Sequence, residues 1–332
     1  MRGEQVVNDS SRRKRVHGQS KRQGGGGERQ GSFEGRRGRG GDDLKAGRGI
    51  PILSDKVVNV ASVPQRSPLR YPGGKTWLVP EIRKFLKGLD FRPEVFVEPF
   101  AGGGIASLTA VMDDYVDRAV LCEKDPDVSN LWRCMLADAE ALARRVERFA
   151  ANPENVRAVI ADAGVSGMDA AFRTLLWNRI SRGGIMARGA SVIKQGENGK
   201  GIASRWYADT LAARIRTIGR HAARLSFFEG DGVGLVALCR DSSSAAFFID
   251  PPYTAAGKRA GRRLYTYNEI DHEVLFERMS EVRGVFMMTY DESPDVIEMA
   301  RRQGFHLAKV PMRSAHHAVM YELLISSHEL AP

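Results

Sequence analysis

The chain has 332 residues, 42% of them hydrophobic, and a formal net charge of +10. This length and composition permit one large or two modest domains with a real core. No apolar run of ~18 residues occurs and no apolar block follows the basic N-terminus, so we expect neither a transmembrane helix nor a secretory signal peptide.

Residues 1–50 differ in composition from the rest of the chain. They hold 13 Lys or Arg against 6 Asp or Glu, and 13 of the 35 glycines. A segment so poor in large apolar residues cannot offset the entropy lost on ordering. We therefore predict a disordered basic tail, which either attracts polyphosphate through counterion release or acts only as a solubilising extension.

The three cysteines, Cys122, Cys134 and Cys239, are scattered along the chain. They form no CxxC pair and no Cys/His cluster, so the pattern favours a reduced, cytoplasmic setting. We expect neither structural zinc nor disulfides, and no other metal.

The first motif, VEPFAGGG at 97–104, predicts a strand from Glu94 to Val97, a glycine turn and a helix from about Gly104. Glycines at such a turn let the backbone approach a ligand, although a tight turn without a ligand explains them equally well. The phosphate-binding patterns GxGxxG and GxxxxGK[ST] are both absent. Because Glu98 would repel a phosphate, the loop favours a cationic or polyhydroxyl ligand.

The second strand, predicted from Ala119 to Glu123, ends in the acidic turn EKD. Asp125 follows the glycine loop by roughly 20 to 30 residues, where a doubly wound fold presents an acid to ribose hydroxyls. With Glu98 and the glycines, it indicates a nucleoside cofactor. S-adenosylmethionine fits better than NAD, whose pyrophosphate normally needs the dinucleotide glycine pattern.

Residues 126–225 interrupt the alternation of strands and helices. They are rich in Ala and Arg, and DAEALARRVERFA and YADTLAARIRTIGRHAARL predict helices around a polar, glycine-rich patch. Long structureless loops are uncommon in compact domains. The segment is therefore predicted to be a substrate-reading insert.

A third buried strand, AAFFI, is followed by the turn Asp250-Pro251-Pro252-Tyr253. Asp250 can accept a hydrogen bond from an exocyclic amino group, and the prolines form a rigid turn whose carbonyls are acceptors. Tyr253 offers a flat face on which a flipped base can stack. Such a turn holds an amino nitrogen towards an electrophilic methyl group, whereas the alternative is a plain proline-rich turn after a core strand.

The remaining elements complete a sheet. GVFMMTY predicts a fourth strand followed by a helix, and LAKVP and HAVMYELLISS predict a closing hairpin. Apolar strands that alternate with helices indicate a doubly wound, mostly parallel sheet covered on both faces.

Three ordered motifs, SPLRYPGGKTWLVPEI, FVEPFAGGG and DPPY, resemble those of the Dam-like DNA adenine-N6 methyltransferases over about Ser67 to Ser327. The resemblance implies an α/β class I methyltransferase fold, Rossmann-like, with seven strands and a largely helical target-recognition insert. It also implies methyl transfer from S-adenosylmethionine to the N6 amino group of a flipped adenine in double-stranded DNA. The expected divisions are a tail at 1–50, an N-terminal part with the cofactor loop at 51–125, the insert at 126–225 and a C-terminal catalytic part at 226–332.

The family resemblance also implies roles for individual residues. Lys75 would contact the cofactor or the target, Tyr71 stands where relatives often have tryptophan, and Asp231 matches an acid that touches the cofactor's adenine. The implied catalytic residues are Asp250, Pro251, Pro252 and Tyr253. The implied cofactor-binding residues are Tyr71, Gly73, Lys75, Glu98, Pro99, Phe100, Gly102, Gly104, Asp125, Asp231 and Asp250.

The insert carries the expected DNA contacts, each of which is otherwise a solvated surface charge. These are Arg182, Arg188, Lys194, Lys200 and Arg205. In the preceding LLWNRISRGG, Asn178 and Arg179 fit either a DNA-reading or a structural role.

Three other functions are weighed against DNA adenine methylation. RNA adenine and DNA cytosine-N4 methyltransferases share the amino chemistry, but Asp before Pro-Pro favours adenine and the insert favours DNA. A non-catalytic nucleic-acid-binding protein is disfavoured because the expected pocket residues are all present. We expect a cytoplasmic, DNA-associated enzyme with no membrane partner, and the sequence does not indicate its oligomeric state.

Overall fold

The computed structural model describes residues 49–71, 73–186, 190–193, 199, 201–252, 270–313 and 318–331. Residues 1–48 of the predicted tail lie outside the described residues.

Seven strands form one sheet in the order β3-β2-β1-β4-β5-β7-β6. In the run β3-β2-β1-β4-β5, each strand is parallel to the next one. Strand β7 runs antiparallel to both β5 and β6. The predicted seven-stranded, mostly parallel sheet is therefore confirmed. The strands are β1 Val95–Glu98, β2 Arg118–Glu123, β3 Leu225–Glu229, β4 Ala245–Ile249, β5 Val285–Asp291, β6 His306–Arg313 and β7 Val319–Ser326.

Small shifts of strand bounds aside, β1 and β3 show the differences from the sequence-based expectation that bear on the site. Strand β1 ends one residue later than predicted, so Glu98 is its last residue. Strand β3 is not among the six expected strands. It lies at the sheet edge, bonded to β2, and its Phe228 is 53% exposed, so it lacks the continuous apolar pattern of a central strand.

Ten α-helices lie in the described part of the chain, and none of these is long and apolar enough to span a membrane. Five of them, α3 to α7, lie within residues 126–225, as the prediction of a largely helical segment expected. The helices are α1 Val79–Lys87, α2 Ile105–Met112, α3 Pro126–Ala137, α4 Ala139–Arg148, α5 Pro153–Ala161, α6 Gly167–Ile180, α7 Ala208–Arg220, α8 Gly232–Cys239, α9 His272–Ser280 and α10 Pro294–Arg302.

The sheet has an apolar core on each face. Along β4, Ala246 and Phe248 join the core that includes residues of α1 to α7, while Phe247 and Ile249 join the core with residues of α8 to α10. Successive strand residues point to opposite faces, so a strand buried on both sides is apolar throughout.

The strand order reverses between β1 and β4. The chain leaves β1 towards β2 and β3, and then crosses back to place β4 on the other side of β1. In open α/β sheets, ligands bind beyond the carboxyl ends of the strands at such a reversal. The residues at the carboxyl ends of β1, β2 and β4 are therefore the candidate site residues.

Candidate active site

A cavity of about 720 Å³ lies at this reversal. That volume is in the usual range for a small-molecule or cofactor site. Its lining combines the ends of β1, β2 and β4 with the segment before α1 and parts of the segment 126–225. The predicted site residues that line it are Tyr71, Gly73, Lys75, Glu98, Pro99, Phe100, Gly102, Gly104, Asp125, Arg205, Asp231, Asp250, Pro251 and Pro252.

Asp250 directly follows the buried strand β4. Its Oδ1 lies 2.8 Å from Lys75 Nζ and accepts a hydrogen bond of 2.9 Å from Thr289 Oγ1 of the neighbouring strand β5. The two contacts hold the carboxylate in one orientation at the cavity. Pro251 is buried beside it, while Tyr253, predicted to stack on a base, lies outside the described residues.

Lys75 is a buried cation shared by two carboxylates. Besides Asp250, its Nζ lies 3.3 Å from Oε1 of the buried Glu322 on β7 and donates to the Gly73 carbonyl at 2.9 Å. Burial lowers the pKa of the Lys75 ammonium, but the attraction of Asp250 and Glu322 outweighs it and the pKa is raised. Lys75 therefore stays charged at neutral pH.

Glu98 ends β1 and is only 3% exposed. Its Oε2 accepts a hydrogen bond of 2.7 Å from the Ser107 N–H in the first turn of α2. Burial is the main cause that raises the pKa of Glu98 to about 7, and the nearby charge of Asp250 acts in the same direction. The carboxyl group is thus poised to change its charge near neutral pH.

The glycine loop after β1 is held between two aromatic rings. Gly102 and Gly104 have positive φ angles of 47° and 65°. A Cβ on Gly102 would lie 2.8 Å from the Tyr71 ring, and one on Gly104 would lie 2.6 Å from Trp132. Trp132 Nε1 also donates to the Gly102 carbonyl at 2.9 Å. The loop needs glycine at both positions for backbone conformation and for packing.

Glu123, the last residue of β2, is a site residue that the sequence reasoning missed. Its Oε2 accepts hydrogen bonds from Gly102 N at 3.0 Å and from the Tyr71 hydroxyl at 3.4 Å. Burial is the main cause that raises its pKa. A signal was present, since Glu123 is the final residue of a predicted strand that ends at this edge of the sheet.

Asp125 and Asp231 both line the cavity and both also cap helices. Asp125 accepts hydrogen bonds from backbone N–H groups at the start of α3, and Asp231 accepts one from Gly234 N at the start of α8. Capping of this kind stabilises a helix and fixes the side chain that provides it. The role of either acid towards a cofactor stays a prediction.

Asn178 links the segment 126–225 to the start of the predicted RYPGGK motif. Its side-chain Oδ1 accepts from Arg70 N at 2.8 Å, and its Nδ2 donates to the Arg70 carbonyl at 2.7 Å. The residue is completely buried at the end of α6. Asn178 therefore ties Arg70, and with it the adjacent Tyr71, to helix α6.

The predicted DNA contacts are placed only in part. Arg205 lines the cavity, and Arg182 is exposed beside the cavity-lining Gly183. Arg188, Lys194 and Lys200 lie outside the described residues.

Several solved methyltransferase structures resemble this fold. A candidate RNA methyltransferase from Pyrococcus horikoshii is 10% identical, with 80% of this chain and 92% of that chain covered and a TM-score of 0.38. The rRNA methyltransferase aviRa from Streptomyces viridochromogenes is 14% identical, with coverages of 75% and 84% and a TM-score of 0.35. A candidate class I S-adenosylmethionine-dependent methyltransferase from Listeria monocytogenes is 8% identical, with coverages of 82% and 65% and a TM-score of 0.37.

No curated protein matches the chain in sequence. Residues 71–159, however, match the family model of the D12 class N6 adenine-specific DNA methyltransferases. This range contains Tyr71, Lys75, Glu98, the glycine loop and Glu123, which together form one side of the cavity. The chain therefore carries, over residues 71–159, a segment of the D12 class N6 adenine-specific DNA methyltransferase family, whose methyl donor is S-adenosylmethionine.

Proposed function

We propose that a flipped adenine enters the cavity and presents its N6 amino group to Asp250. The observation that carries this proposal is the fixed orientation of the Asp250 carboxylate by Lys75 and Thr289, in a cavity that also holds the glycine loop. A carboxylate at this position accepts a hydrogen bond from the amino group and then its proton as the nitrogen becomes cationic. The carbonyls of the Asp250-Pro251-Pro252 turn supply further acceptors, and Tyr253 is proposed to stack on the base.

The residues that line the opposite part of the cavity fit S-adenosylmethionine. Glu123 and Asp125 are proposed to receive its ribose hydroxyls, and Asp231 its adenine. Glu98, Pro99, Phe100, Gly102 and Gly104 are proposed to surround the amino-acid end, where an acidic, Cβ-poor lining suits a cationic ligand better than a phosphate. When bound, the cofactor supplies an electrophilic methyl group on its sulfonium.

Lys75 has a positioning role in this proposal. Its ammonium lies 2.8 Å from Asp250 Oδ1 and 3.3 Å from Glu322 Oε1, so it holds the Asp250 carboxylate in place at the cavity. An ionised Asp250 is the form that can accept the amino proton. Gly73, whose carbonyl also binds the ammonium, completes this arrangement.

Residues 126–225 are proposed to select the sequence in double-stranded DNA. Arg182, Arg188, Lys194, Lys200 and Arg205 are the proposed contacts, and a cytoplasmic location with access to DNA follows from such a substrate. Arginine and lysine provide most protein contacts to phosphates and to guanine. The segment is in contact with the cavity itself, since Arg179, Arg205 and Arg214 are among the cavity-lining residues.

The test is methyl transfer from labelled S-adenosylmethionine to purified DNA, followed by modified-base sequencing of DNA from cells that express the protein. The expected product is N6-methyladenine within one short sequence context. Label that enters RNA alone, or cytosine alone, contradicts the proposal.

A further inference from the structure

One wall of the cavity is formed by four arginines, Arg70, Arg179, Arg205 and Arg214, which we call the arginine wall. They come from the segment before Lys75, the end of α6, the 3-10 helix Gly201–Arg205 and the middle of α7. The acids Glu98, Glu123, Asp125, Asp231 and Asp250, in contrast, follow strand ends or cap the helices beside them. The cavity therefore combines acids at the strand ends, with Lys75 and Lys124 beside them, and the arginine wall.

Arg179 is the most buried member of the wall, with 7% of its surface exposed. Its guanidinium donates to two backbone carbonyls, those of Arg205 at 3.1 Å and Pro68 at 3.5 Å. Burial lowers its pKa to about 10, and the charges of Arg70, Arg214 and Arg205 act in the same direction. Among the described residues, no carboxylate forms an ion pair with Arg179.

Arg214 has a similar environment. It is half-buried, its Nη1 donates to the Ser67 carbonyl at 3.1 Å, and burial lowers its pKa. Within the described ranges it also has no carboxylate partner. Two residues further along α7, by contrast, Arg216 forms ion pairs with Glu140 and Glu147.

Neighbouring cations in a partly desolvated wall repel one another and lose hydration. An anionic ligand would compensate both costs, and a buried cluster with perturbed charge in a cavity is a mark of a functional site. Guanidinium groups match the oxygen geometry of a phosphate through paired hydrogen bonds. An adenosine that reaches Asp250 from a DNA strand brings its own phosphodiester groups into the same cavity.

We propose that the arginine wall binds a phosphodiester group of the flipped target nucleotide and thereby orients its base towards Asp250. This inference rests on the proposed function, because it assumes that the flipped adenosine enters this cavity. It assigns Arg179 and Arg214 a phosphate-binding role that their sequence positions do not indicate.

The test uses a duplex that contains the sequence identified by modified-base sequencing. One form has ordinary phosphates, and the others carry a neutral methylphosphonate on the 5′ or the 3′ side of the target adenosine. The proteins compared are the full-length wild type, Arg214→Gln, Arg214→Lys and the control Arg220→Gln. Arg220 is an exposed arginine of α7 that does not line the cavity.

For the wild type, one of the neutral linkages is expected to weaken DNA binding by about tenfold or more, the loss of a charge-assisted phosphate contact. Arg214→Gln should bind the ordinary duplex about as weakly as the wild type binds the duplex with that neutral linkage. The neutral linkage should not reduce the DNA affinity of this variant any further. Its slope of log affinity against log salt should fall by about one. Arg220→Gln should respond to the neutral linkage as the wild type does.

Arg214→Lys keeps the charge but loses the paired geometry, so it should retain the salt slope and bind at an intermediate affinity. The affinity for S-adenosylmethionine should be unchanged in both Arg214 variants, which also shows that they fold. The inference is overturned if Arg214→Gln and the neutral linkages act independently, so that their fold-losses of DNA affinity multiply. It is equally overturned if the variant weakens S-adenosylmethionine binding instead, which would assign the wall to the cofactor carboxylate. Failure of the wild type to methylate any DNA would instead contradict the proposed function.

Discussion

At the scale of single residues, the site depends on a balance of buried charge. The ammonium of Lys75 lies between Asp250 and Glu322, and Glu98 lies close enough for the charge of Asp250 to raise its pKa. Removing one partner of a buried ion pair costs more than the pair contributes, because the remaining charge is left desolvated. Substitutions here are therefore expected to affect both stability and catalysis.

Replacement of Asp250 by Asn should reduce methyl transfer by at least about 10²-fold, since the amide cannot accept the amino proton. Binding of S-adenosylmethionine, measured by calorimetry, should change little. The matched control is Asp241→Asn, on a side chain that is 81% exposed. An equal loss of transfer and cofactor binding in Asp250→Asn would contradict the assigned role.

Replacement of Lys75 by Met should lower the free energy of unfolding by about 3–5 kcal/mol, because it leaves the buried Glu322 and the partly buried Asp250 without their cation. Urea denaturation measures this loss. The control Lys87→Met removes an exposed lysine at the end of α1, whose Nζ lies 5.9 Å from the centroid of the Tyr115 ring, and should cost less than about 1 kcal/mol. The double variant Lys75→Met/Glu322→Gln should recover part of the loss. Equal losses of unfolding free energy for the Lys75 and Lys87 variants would contradict a stabilising role for the ion pairs of Lys75.

Glu98 should make stability depend on pH. Its pKa in the folded protein, about 7, lies above its ordinary value of 4.5, so the folded state retains a proton that the unfolded state loses. The stabilisation is complete below pH 4.5 and disappears as the pH rises through about 7. Relative to Glu98→Gln, the wild type should lose up to about 3 kcal/mol between pH 4.5 and 8. Chemical denaturation at several pH values measures it, with the exposed Glu94→Gln as control, and parallel curves for wild type and Glu98→Gln would refute it.

At the scale of elements, helix α6 positions the segment before α1. Asn178 binds both the N–H and the carbonyl of Arg70, and it also donates to the Gly184 carbonyl at 3.0 Å. Helix α6 of the proposed DNA-reading region is therefore connected to the cofactor side of the cavity through one side chain. This connection gives Asn178 the structural role that the sequence had left as one of two alternatives.

Asn178→Ala should destabilise the protein by about 2–3 kcal/mol, because the partly buried N–H and carbonyl of Arg70 lose their partners. It should also weaken S-adenosylmethionine binding, since Tyr71 follows Arg70 directly. Asn130→Ala removes one exposed hydrogen bond to the Gly167 carbonyl and should cost about 1 kcal/mol or less. Thermal unfolding and cofactor titration test both, and a neutral Asn178→Ala would contradict the linkage.

At the scale of the whole molecule, charge is unevenly distributed along the chain. Residues 1–50 carry 13 of the 50 basic residues, and 13 of the 35 glycines accompany them. Counterion release makes such a segment attract DNA without regard to sequence. The cavity, by contrast, combines a cationic wall with acids at the strand ends.

Deletion of residues 1–48 should weaken DNA binding mainly at low salt and reduce the slope of log affinity against log salt. Cofactor affinity and the methylated sequence should be unchanged. The deletion spares Leu53, whose N–H bonds to the Lys309 carbonyl at 2.9 Å on β6. An unchanged salt slope would return the segment to the role of a solubilising extension.

The sequence by itself determined the fold class, the three motifs and the part of the cavity lining that the motifs supply. Those features are local: strand periodicity, glycines after a strand, and an acid followed by prolines are all read from neighbouring residues. Such local patterns do not show which of two neighbouring acids, Glu123 or Asp125, contacts the glycine loop. Only the three-dimensional structure shows that Glu123 bonds to Gly102 and Tyr71 while the nearby Asp125 caps α3.

The tertiary structure alone decided which distant residues meet. Lys75 reaches Asp250 and Glu322, Asn178 binds Arg70, and four arginines from separate elements form one wall. These contacts depend on the crossover that returns the chain to β4 and on the packing of α6 and α7. No local pattern in the sequence encodes them, because the energy of a buried charge depends on its neighbours in space rather than on its neighbours along the chain.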